Sequence, residues 1–124
     1  MEVLVVTGSS RGIGAEICRA AAAKDWAVCV NYATSTDEAE LVVKDIEQAG
    51  GRAISVSADV SIDSEVAALF ERVDAELGPI TGLVNNAGIN GGGTRVDELD
   101  VDQARRIFEV NILGSFLCAK HAIR

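Results

Sequence analysis

The chain has 124 residues, 48% of them apolar and 24% charged, with a formal net charge of −8. That length holds at most one domain or part of one, and the aliphatic content is enough for a real core. The acidic balance opposes nucleic acid and anionic membrane as partners, but not a small anion, which helix N-termini and loop amides can hold in an acidic protein. Aromatics are few (Trp26, Tyr32, Phe70, Phe108 and Phe116), so packing rests on Val, Ile, Leu and Ala. Cys18, Cys29 and Cys118 are far apart and sit among apolar residues, as small core hydrophobes of a reducing compartment do. His121 is the lone imidazole, and no metal site is expected. The opening apolar run is too short for a signal peptide and no run reaches membrane-spanning length, so a cytoplasmic protein is expected.

Strand and helix patterns alternate, which implies a parallel sheet covered on both faces. Val3 to Val6 reads as the first strand, and a helix follows from about Gly12 to Lys24 with Ile13, Ile17 and Ala20–Ala21 on one face. Ala27 to Val30 is the second strand. Ser35 and Glu38 have capping-box spacing ahead of a helix striped by Ala39, Val42, Val43 and Ile46, which Gly50-Gly51 ends. Ala53 to Val56 is the third strand. Ser61 is placed to cap the next helix, whose Val66, Leu69, Phe70, Val73 and Leu77 keep a helical period until Gly78-Pro79. Leu83-Val84 belongs to a short fourth strand, and Asn90 to Thr94 reads as a flexible loop. Asp100 with Gln103 then opens one long helix carrying Ile107, Phe108, Ile112, Phe116 and Leu117. Right-handed crossovers order the strands 3-2-1-4, so a crevice opens between the carboxyl ends of strands 1 and 4.

Two motifs border that crevice. Thr7-Gly-Ser-Ser-Arg-Gly-Ile-Gly14 follows the first strand directly. In such a loop Gly8 permits a sharp turn, Gly12 brings backbone amides to a phosphate, and Gly14 allows close packing of the helix. Its spacing is Gly-x3-Gly-x-Gly, and no Gly-Lys-Ser/Thr follows, which excludes a nucleoside-triphosphate loop. Asn85-Asn-Ala-Gly88 follows the fourth strand, and Asn111 lies in Val110-Asn-Ile of the last helix, where a buried amide would need partners.

With these three in this order, the chain resembles the N-terminal half of a short-chain dehydrogenase/reductase. The resemblance implies an α/β, Rossmann-type doubly wound parallel sheet, truncated after the helix that follows strand 4, with residues 1–124 as a single NAD(P)-binding segment. It implies hydride transfer between a nicotinamide and a small carbonyl or alcohol substrate, and a homo-oligomer (dimer or tetramer) when complete. The Val-Asn-Tyr after strand 2 and Asp-Val after strand 3 look like the branch of 3-oxoacyl carrier-protein reductases and sugar or steroid alcohol dehydrogenases.

Carried over residue by residue, the cofactor-binding positions are Gly8, Ser10, Arg11, Gly12, Ile13, Gly14, Asn31, Asp59, Val60, Asn86, Ala87 and Gly88. Strand 2 ends in Asn31, Tyr32 and Ala33 where an acid would grip ribose hydroxyls, and Arg11 faces the adenosine ribose, so NADP(H) is expected over NAD(H). Ser9, Ser10 and Asn31 could add hydrogen bonds to the 2′-phosphate, and Asn31→Asp is expected to shift preference toward NAD. Asp59 would meet the adenine amine and Val60 would wall the ring, although an Asp there equally suits a turn. Asn85 would steady the sheet toward Thr7, while Ala87 and Gly88 leave room for the nicotinamide ribose. Asn111 is the one catalytic position assigned, as holder of a proton-relay water. The family's Tyr-x-x-x-Lys pair is absent from these residues, since Tyr32 is the sole tyrosine and Thr36 follows it. A non-catalytic dinucleotide-binding module and a methyltransferase-type nucleotide fold remain the alternatives.

Overall fold

In the computed structural model, which describes residues 1–90 and 93–124, Val3–Val6 forms strand β1 with all four residues buried. Helix α1 spans Gly12–Ala23, β2 Ala27–Tyr32, α2 Thr36–Gln48, β3 Arg52–Ser57, α3 Asp63–Glu76 and β4 Gly82–Val84. A short 3-10 turn (Val96–Glu98) precedes α4 (Val101–Phe108), and α5 covers Gly114–Ile123. The strands are parallel in the order β3-β2-β1-β4, with Val5 level with Cys29 on one side and Leu83 on the other.

The two-residue period of a strand explains why β1 is apolar throughout. Val3 and Val5 point to one face and pack with Cys29, Val56, Leu69, Val73 and Cys118. Leu4 and Val6 point to the other and pack with Cys18 and Ala22 of α1 and Val42 and Ile46 of α2. Neither face meets water, so no polar residue alternates into the strand.

Several local expectations change. Ser35 sits at the start of α2 but makes no side-chain cap, and Glu38 turns toward Arg11 instead of closing a capping box. Ser61 does not cap α3, because Ile62 holds that position and the Ser61 N–H and hydroxyl both turn to Asp59. Asp100 does cap α4, accepting from the N–H groups of Asp102 (3.0 Å) and Gln103 (3.4 Å). The expected single long helix is interrupted between α4 and α5 by a π turn over Glu109–Leu113. One wider turn barely disturbs an apolar stripe, so periodicity alone does not disclose it. The loop expected over residues 90–94 includes Gly91 and Gly92, which lie outside the described residues.

The last helical stretch leaves Phe108, Ile112 and Phe116 exposed at 60%, 52% and 72%, while β4 lies at a sheet edge, paired among the described residues only with β1. Unpaired edges and contiguous apolar surface both promote association. Light scattering on the isolated 124-residue chain should therefore show self-association, which Phe108→Ser with Phe116→Ser reduces. A monodisperse monomer with a sharp cooperative melt contradicts this.

Candidate dinucleotide site

The segments leaving the carboxyl ends of β1 and β4 meet, as the strand order requires. Between them lies a crevice of about 320 Å³ bordered by Gly8, Ser10, Arg11, residues 31–35, Ala58 to Val60, Asn86 to Ile89, Arg106 and Val110. Of the expected binding residues, it gathers Gly8, Ser10, Arg11, Asn31, Asp59, Val60, Asn86, Ala87 and Gly88. Gly12 and Ile13 lie on a shallower hollow beside it with Glu16, Ile17 and Ala20. A larger hollow of about 540 Å³ lies elsewhere, where Phe70 and Asp74 face Pro79, Ile80 and the end of α5, and it contains neither motif.

Thr7 locks the two motifs together. Its N–H donates to the Val84 carbonyl at 3.1 Å, and its Oγ1 accepts from the N–H groups of Asn86 and Ala87, both at 3.0 Å. Asn86 Nδ2 donates to the Gly8 carbonyl at 2.9 Å. It is thus Asn86 that reaches the Thr7 segment. Asn85, expected in that role, donates instead to the Ser115 carbonyl at 3.3 Å.

Two glycines are required by this closeness. Gly8 has φ +59°, and a Cβ on it would stand 2.8 Å from Ala87 Cα. A Cβ on Gly14 would stand 2.5 Å from Asn86 Nδ2 and 2.9 Å from the Gly8 carbonyl oxygen. Gly14 therefore makes room for the second motif rather than for the strand. Helix α1 begins with no side-chain cap, which leaves its first amides free to meet an anion.

Asn31 and Ser9 are turned inward, at 1% and 0% exposure. Asn31 Oδ1 accepts from the Gly8 N–H at 3.1 Å, and Nδ2 donates to the Val56 and Ala58 carbonyls at 3.2 and 3.3 Å. The Ser9 hydroxyl donates to the Val6 carbonyl at 2.7 Å and accepts from the Asn31 N–H at 3.1 Å. Both side chains are engaged within the fold, contrary to the expectation that they face a 2′-phosphate. They hold the glycine loop against β2 and β3. Ser10 and Arg11 keep their side of the crevice, Arg11 with its side chain 75% exposed and 3.8 Å from Glu38. So loose a surface pair leaves the guanidinium free to change partner.

Asp59 holds a closer network. Its Oδ1 accepts from the Ser61 N–H at 3.0 Å and the Ser61 hydroxyl at 2.6 Å. Its Oδ2 accepts from Arg106 at 2.7 Å, and the same guanidinium donates to Ser61 Oγ at 2.6 Å. Burial pushes the carboxyl up, but hydrogen bonds from Ser61 and Arg106 outweigh it and hold Asp59 below its ordinary value. A carboxylate depressed in this way stays ionised and paired at neutral pH, and loses the pairing only as pH falls through its folded value. Arg106 lies in no motif that marks a site residue: it meets Asp59 because the fold brings this α4 side chain to the border of the crevice.

Val60 is 5% exposed and in contact with Gly114, where an added Cβ would stand 2.7 Å from its Cγ2. Asn111, expected to be buried, is exposed in the π turn. Its amide clasps one residue, Oδ1 accepting from the Ile89 N–H and Nδ2 donating to the Ile89 carbonyl, both at 2.8 Å. Burial pushes Cys18 and Cys118 up to about 11 and Cys29 further still, so all three are protonated thiols at neutral pH. Among the described residues no three His, Cys, Asp or Glu side chains gather as a metal site, and no helix is long and apolar enough to cross a membrane.

The chain matches the short chain dehydrogenase family over residues 2–124. Glucose 1-dehydrogenase 2 of Bacillus subtilis is 37% identical over 119 residues, which cover 96% of this chain and 46% of that enzyme. 3beta-hydroxysteroid dehydrogenase 1 of Eggerthella lenta is 38% identical, covering 98% and 46% respectively. Among solved structures, a short chain dehydrogenase from Burkholderia cenocepacia in complex with NADP is 36% identical with a TM-score of 0.94, over 99% of this chain and 50% of that one. The chain spans about half the length of these relatives.

Proposed function

Since this chain belongs to the short-chain dehydrogenase family, we propose that residues 1–124 are the nucleotide-binding half of an NADP(H)-dependent oxidoreductase acting on a small carbonyl or alcohol. The observation that carries this reading is the Thr7 lock, which welds the glycine loop to the Asn-Asn-Ala-Gly segment at the crevice. The donor set fits a dinucleotide: uncapped α1 amides beside Gly8, Ser10, Gly12, Ile13 and Gly14 suit a pyrophosphate. Arg11, with no acid at the end of β2, suits a 2′-phosphate. Asp59 and Val60 suit adenine, and Asn86, Ala87 and Gly88 suit the second ribose. When bound, the nicotinamide supplies the hydride. Asn111 holds Ile89 beside Gly88, and by position it serves a proton relay. We further assign the protein to the cytoplasm, as a homo-oligomer without nucleic acid or membrane partners. The missing Tyr-x-x-x-Lys pair supports a second reading for this chain by itself, a binding module without catalysis.

Arg11→Ala in the full-length protein tests the cofactor assignment. A charged hydrogen bond to phosphate should make the loss for NADPH roughly 10-fold or more, with NADH little changed. Equal loss for both contradicts the assignment.

A further inference from the structure

We propose that Arg106 is a positioning residue for adenine recognition, fixing the orientation in which Asp59 presents its carboxylate to the crevice. This rests on the reading of Asp59 as the adenine contact. Three observations carry it. First, Arg106 and Asp59 both border the crevice, and their side chains are only 44% and 24% exposed. Second, the guanidinium spans two partners, Asp59 Oδ2 at 2.7 Å and Ser61 Oγ at 2.6 Å, while Ser61 holds Asp59 Oδ1 from its N–H and hydroxyl. The three residues close a ring of hydrogen bonds, unlike an isolated surface pair, and Glu109 is a distant competitor for Arg106 at 4.0 Å. Third, the Asp59 backbone N–H is held separately by Glu65 Oε1 at 2.9 Å. Losing Arg106 therefore releases Asp59 Oδ2 rather than the chain.

An ionised carboxylate has about four acceptor positions. Ser61 and Arg106 fill three of them, and the fourth stays on Oδ2, the oxygen that Arg106 orients. An amine that meets that position gains a charge-assisted bond, whereas a carbonyl there meets a negative charge. Adenine presents an exocyclic amine, and hypoxanthine presents a carbonyl in its place.

The test is calorimetric titration of the full-length protein with NADPH and with its hypoxanthine counterpart. The readout is the ratio of the two dissociation constants, which a general loosening of the fold would leave unchanged. Wild type should favour adenine by about 10-fold or more, and Asp59→Ala should bring the ratio near one. Arg106→Ala should lower the ratio at least about threefold. Arg106→Lys, a point charge in place of a fork, should fall between. A wild-type ratio in Arg106→Ala, with Asp59→Ala collapsed, overturns the role of Arg106. An unchanged ratio in Asp59→Ala overturns the adenine reading and this proposal with it. If Arg106→Ala does not fold, the Lys variant decides, and a wild-type ratio there overturns the proposal.

Discussion

The 124-residue chain, given NADPH and a panel of ketones and aldehydes, should show no carbonyl-dependent NADPH oxidation. Reducing a carbonyl requires a proton as well as a hydride, and a positioned acid commonly contributes a factor of about 10²–10⁴. Asp59, held ionised by Ser61 and Arg106, has no proton to give at neutral pH, and among the described residues no other carboxyl lines the crevice. Tyr32 borders it, but Thr36 stands where a lysine would complete the pair. Lys24, Lys44 and Lys120 are the only lysines, and none borders the crevice; Lys120 is 2.7 Å from Asp63. The expected rate is therefore background. Turnover that survives rigorous purification and scales with the chain's concentration contradicts this, and would locate an acid among the residues described above.

Asn31→Asp in the full-length protein should cost stability, about 3 kcal/mol or more at neutral pH, rather than exchange one cofactor for another. Asn31 Nδ2 donates to two carbonyls, and an aspartate would set an oxygen against both. The site is 1% exposed, so the new carboxyl would have its folded pKa raised above its unfolded one. Its cost is then largest above the folded value and is lost as pH falls through the folded value toward the unfolded one. Urea melts at several pH values measure it. A variant as stable as wild type at neutral pH, now preferring NADH, would restore the earlier expectation that position 31 faces the cofactor.

That expectation shows where the sequence is legible and where it is not. β1 reads clearly because burial on both faces leaves nothing but Val and Leu, and Asp100 reads correctly as the opening of a helix because its partners are two and three residues away. The crevice reads correctly because strand order follows from handed crossovers, and its two motifs are contiguous. What the sequence does not show here is which partner a polar side chain takes. Asn31 is defined by carbonyls 25 and 27 residues on, and Asp59 by a guanidinium 47 residues on. Ser61 meets a nearby turn in preference to the helix it precedes, since Asp59 offers it a charged acceptor. Polar side chains choose among partners that only the assembled fold brings near, whereas apolar periodicity needs no partner to be named. The π turn escapes notice for a different reason. It shifts register within a stripe that stays apolar on both sides.

The proposed function places at this crevice a dinucleotide site with a preference for the 2′-phosphate. Calorimetric titration of the full-length protein with NADPH and with NADH, under one buffer and salt condition, tests it most directly. One site per chain is expected, with NADPH bound roughly 10-fold tighter or more through Arg11. Failure to bind either dinucleotide, or tighter binding of NADH, would contradict it.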